Sequence, residues 1–62
     1  MALNNKRAMY RVELGILEKG IRSDNWNSFN VLALDAIEAS KKISLKKGEY
    51  VASVILLSRS DQ

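Results

Sequence analysis

Sixty-two residues with no Cys and no His exclude disulfides, thiolate and imidazole metal sites, and the usual catalytic thiol and imidazole groups. The formal net charge of +3 permits an anionic partner without requiring one. So short a chain buries only about 60% of the surface its unfolded form exposes and normally needs a staple or a partner subunit. With no staple available, 47% apolar residues point to an efficient core, to association, or to both.

No Pro, repeat or low-complexity stretch marks a linker, so one small domain over residues 1–62 is expected, its ends fraying at about 1–6 and 59–62. The basic start, Met1 to Arg7, has no apolar run of signal-peptide character behind it. The longest strongly apolar stretch, Val54–Leu57, falls far short of the roughly 20 residues that cross a bilayer. A cytoplasmic protein with no membrane association is the expectation.

Taken in order, Met9 to Leu17 fits two templates. As a strand it places Tyr10, Val12, Leu14 and Ile16 on one face; as a helix, Tyr10, Leu14, Leu17 and Ile21 share a stripe. The strand is preferred, because Gly15 inside a helix costs about 1 kcal/mol. Glu18-Lys19-Gly20 then turns the chain, with Gly20 supplying positive φ, and Ile21 to Phe29 returns as a short, polar second strand carrying Trp26. A helix from about Val31 to Ser44 follows, capped by Asn30, with Leu32, Ala36, Ala39 and Ile43 as its core stripe. Lys46-Lys47-Gly48 ends it, and Glu49 to Ser58 reads as a buried strand. The expected fold is therefore α+β: a small β-(β)-α-β module with one helix packed on a short sheet, completed by dimerisation. The alternative is a three-helix all-α domain.

Alternation puts Tyr50, Ala52, Val54 and Leu56 on one face of the last strand and Val51, Ile55 and Leu57 on the other. One helix covers one face, so the second face, joined by Met9 and Leu17, is the candidate surface for a homodimer or a protein partner. Trp26 stands alone in a polar run; it either folds over the helix start beside Phe29 or serves as an exposed partner anchor.

Catalysis has little to work with. Asp35 and Glu38 lie three residues apart, which suits a solvated helix face balanced by Lys41 and Lys42, and Gly15, Gly20 and Gly48 form no phosphate-cradling loop. No enzyme activity and no cofactor are expected. Lys41, Lys42, Lys46 and Lys47, joined by Arg11, form a candidate nucleic-acid site, with Tyr10, Trp26 and Tyr50 as stacking surfaces. Its competitor is plain helix-dipole stabilisation and solubility.

The run Tyr10-x-Val12-x-Leu14, Trp26-x-x-Phe29, Leu32-x-x-x-Ala36-Ile37, Gly48-Glu49-Tyr50-Val51 resembles small strand–strand–helix–strand modules of short bacterial and phage reading frames. That resemblance supports the expected fold and transfers no site residue; the size and charge suit an accessory protein of a phage or mobile element. A non-enzymatic protein-binding or regulatory module acting as a homo-oligomer is the leading expectation; a small basic nucleic-acid-binding protein is the alternative.

Overall fold

The computed structural model describes residues 7–59; of the ends expected to fray, 1–6 and 60–62 lie outside the described residues, and Arg59 closes a strand. Strand β1 (Ala8–Glu18) turns directly into β2 (Ile21–Ala33); a short helix, α1 (Ala36–Lys41), and a loop lead to β3 (Glu49–Arg59). All three strands form one antiparallel sheet in the order β2-β1-β3, with β1 in the middle. The described chain is a slab of 50 × 18 × 11 Å. No helix among the described residues is long and apolar enough to cross a membrane.

The expected α+β module is corrected by this architecture. The described residues are mostly β, with strands of 11, 13 and 11 residues against a six-residue helix, and there is no three-helix domain. Alternation drives β1: Ala8, Tyr10, Val12 and Leu14 are buried, while Met9 and Glu13 are half-buried and Arg11 is exposed. The turn that follows has both central residues at positive φ, Lys19 at 55° and Gly20 at 77°. Such a two-residue turn matches the right-handed twist of the strands it joins. Pairing therefore starts at Glu18↔Ile21 and runs to Ala8↔Ala33, much further than a short polar return strand.

That pairing also displaces the expected helix start. Asn30 lies opposite Arg11 inside β2, and Phe29, Val31 and Ala33 share a face with Val12, Tyr10 and Ala8. Helical periodicity through Leu32 competes with this ladder and loses, because each sheet residue gains cross-strand packing against the buried face of β1. The helix starts only where β1 has no further partner to offer. Asp35 is its N-cap, accepting from the Glu38 amide at 2.8 Å, and the Glu38 carboxylate accepts from the Leu34 amide at 2.6 Å. These two carboxylates cap the helix while Asp35 stays exposed and Glu38 half-exposed to solvent.

Helix α1 lies across one face of the sheet, hereafter the helix side. There Ala39 is buried with Ala8, Tyr10, Val12, Leu14 and Ala33, and Val31, Ile43, Val51 and Val54 pack around them. Leu32 and Ala36, assigned to the core stripe by helical spacing, are exposed.

Candidate interaction faces

Among the described residues, no element covers the second face of the sheet. Its residues follow from the register of the uninterrupted central strand: Met9, Arg11, Glu13, Gly15 and Leu17 alternate with the buried set. Leu32 stands opposite Met9, Asn30 and Ile55 opposite Arg11, and Ser28 and Ser53 opposite Glu13. The Ser53 hydroxyl donates to Glu13 Oε1 at 3.0 Å.

At Gly15 this face has a cover of its own. Tyr50, paired with Gly15, lays its ring so closely over the glycine that a Cβ there would collide with it. The Tyr50 hydroxyl donates to Asp24 Oδ1, and Arg22 Nε contacts both the Asp24 carboxylate, at 3.3 Å, and the Tyr50 oxygen, at 3.1 Å. The Arg22 guanidinium carbon lies 5.3 Å from the ring centroid, a cation–π distance. The hydrogen bond from Tyr50, followed by that from Arg22, holds the Asp24 carboxyl below its ordinary pKa. The same bond to Asp24, with partial desolvation second, raises the Tyr50 hydroxyl.

β3 is where the expected interface is rearranged. Glu13 pairs with Ser53 but Leu14 pairs with Val51, so Ala52 is an extra residue, a bulge. The bulge breaks the alternation and moves Val51 to the helix side, where it packs on the core with Val54. Tyr50 is moved to the open face with Ile55 by the same step. Leu57 is the extra residue of a second irregularity, between Leu56 and Ser58. Of the expected contact residues, the open face therefore unites Met9, Leu17 and Ile55, adds Leu32, and loses Val51 to the core.

Trp26 is remote from the helix start. It lies at the hairpin end on the helix side, with Ile16, Glu18, Ile21 and Ser23 around a shallow cavity of about 280 Å³. Its Nε1 donates to Glu49 Oε2 at 2.9 Å, while Glu49 Oε1 accepts from the Lys46 amide at 2.8 Å. The Lys46 amide first, then the Trp26 indole, hold the Glu49 carboxyl below its ordinary value.

Of the expected basic residues, Arg11 is set apart from those at the end of α1. Lys41 ends α1, and Lys42 donates from Nζ to the Leu32 carbonyl at 2.6 Å. Lys46 and Lys47 sit in the loop before β3, and Arg11 is on the face opposite α1. Leu32 and the Arg22–Asp24–Tyr50 cluster were not singled out from the sequence. A glycine within an alternating strand was their one available signal, since it marks a close approach. The chain matches no protein-family model, no curated protein and no solved structure.

Proposed function

We propose that this chain is a non-enzymatic protein-binding or regulatory module that works as a homo-oligomer. One observation carries the reading. Among the described residues the buried core is six side chains, three of them alanine, while eleven large hydrophobic side chains are at least 41% exposed. Two medium-sized residues, Val12 and Leu14, are the largest that are fully buried. A core of that size is a weak support for a sheet this long, and apolar surface in this proportion marks association.

The nucleic-acid reading draws less support. Arg11 is on the face opposite α1, which carries Lys41 and Lys42, and the Lys42 ammonium already serves a backbone carbonyl. Sedimentation equilibrium across a dilution series tests the proposal. A mass of twice the 7.0 kDa chain at micromolar concentration or above is expected; a single 7.0 kDa species at every concentration would remove the homo-oligomer.

A further inference from the structure

We propose that a second copy of the chain docks on the open face, sheet against sheet, about a two-fold axis that sets Arg11 of each copy beside Glu13 of the other. This assignment rests on the homo-oligomer reading above and supplies its surface.

Area is the first support. Three strands spaced about 4.8 Å apart, each about 11 residues long at 3.3 Å per residue, make a face of about 14 × 36 Å. Two such faces bury on the order of 1,000 Å², the size at which a specific interface becomes tenable. Sheets stacked in this way sit about 10 Å apart and place both helices outside, giving each sheet the second layer that it lacks.

Charge is the second support. Among the described strand residues the open face carries two cations, Arg11 and Arg22, and two carboxylates, Glu13 and Asp24, so their charges cancel on a chain of net charge +3. The described lysines stand elsewhere, in the hairpin turn, at the end of α1 and in the loop before β3. A neutral face of mixed sign suits a copy of itself better than an anionic polymer. Arg22 and Asp24 form the one ion pair among the described residues, which leaves Arg11 without a carboxylate within 4.0 Å. Glu13 receives the Ser53 hydroxyl on one oxygen only.

Geometry fixes the orientation. An axis lying in the interface and crossing the strands at Val12 exchanges positions 11 and 13, and likewise positions 9 and 15. Each Arg11 then meets a carboxylate, and each Met9 meets the Tyr50 ring that covers the partner's Gly15, a favourable sulfur–aromatic contact. An axis running along the strands would stack Arg11 on Arg11. Leu32 and Ile55, 47% and 41% exposed, complete the apolar patch beside Met9.

The test is a charge-swap cycle on the full chain, read as the dimer dissociation constant by sedimentation, with circular dichroism confirming that each variant is folded. Arg11→Glu and Glu13→Arg each raise the constant at least tenfold, and the double swap returns it to within about threefold of the parent. A double variant as weak as the singles, or singles that dimerise like the parent, overturns this face while leaving a dimeric parent intact. A parent that is monomeric at every concentration overturns the homo-oligomer reading itself.

Discussion

At Gly15 the missing side chain is replaced by the Tyr50 ring, which is held in place by Asp24 and Arg22. An aromatic lying over a strand glycine restores the packing that the glycine forgoes. Gly15→Ala forces the ring off the strand, since the new methyl and the ring cannot share the space; a loss of about 1–3 kcal/mol in urea unfolding is expected. Unchanged stability would mean that the ring has no structural role. The same cluster sets a pH window. Asp24 and Glu49 have depressed folded pKa values, so their contribution is present above the ordinary carboxylate range near pH 4 and is lost as pH falls through the lower folded values. Tyr50 is raised, so its contribution is present below about pH 10 and is lost as pH climbs through the higher folded value. In a Tyr10→Phe background, phenolate absorbance follows Tyr50 alone. Asp24→Asn should then bring its ionisation back down towards pH 10, and an unmoved titration would rule out Asp24 as the cause.

Among the elements, β3 shows most sharply how one inserted residue redistributes a sequence pattern. With Ala52 bulged, Val51 belongs to the core and Ile55 to the open face, although regular alternation places them together. Val51→Lys should therefore cost several kcal/mol, about 2–4, whereas Ile55→Lys should change the stability of the isolated fold by less than about 1 kcal/mol. Urea titration in the dilute, dissociated regime separates the two, and equal losses would contradict the bulge. Strand β1 was legible because its period of two coincides with its burial: Tyr10, Val12 and Leu14 are the buried residues. The start of α1 was not legible. Asn30 and Asp35 are both good caps, and Leu32, Ala36, Ala39 and Ile43 have helical spacing even though Leu32 lies in β2 and Ile43 beyond the helix. What decides between them is the length of β1 available for pairing, a non-local quantity. The bulge at Ala52 likewise depends on how β3 meets β1 and leaves no mark in composition. The open face was foreseen as a need for cover, and Met9, Leu17 and Ile55 of its apolar residues were assigned to it, whereas Leu32 was not.

The molecule as a whole is a thin slab, long for its mass, with its buried side chains gathered under one short helix. On the proposed dimer, its stability in isolation should be low and its stability at high concentration greater, because docking would take the open-face share of the exposed hydrophobic surface, Leu17, Leu32 and Ile55, out of water. A hundredfold rise in concentration is expected to raise Tm by about 10 °C, and a Tm independent of concentration would argue for a self-sufficient monomer. The hairpin turn at Lys19 and Gly20 has a kinetic consequence as well. Closing β1 on β2 needs only those two residues to bend, whereas β3 must return from the far side of α1. Local closure takes microseconds and distant pairing is slower, so the β1–β2 hairpin is expected to close before β3 joins it. Until then one edge of β1 would present a row of unpaired amides and carbonyls of the right length for any β3 nearby. In dilute solution the chain's own β3 would arrive first; in concentrated solution a neighbour's would compete, and strand exchange would offer a route to association separate from the proposed docking of open faces.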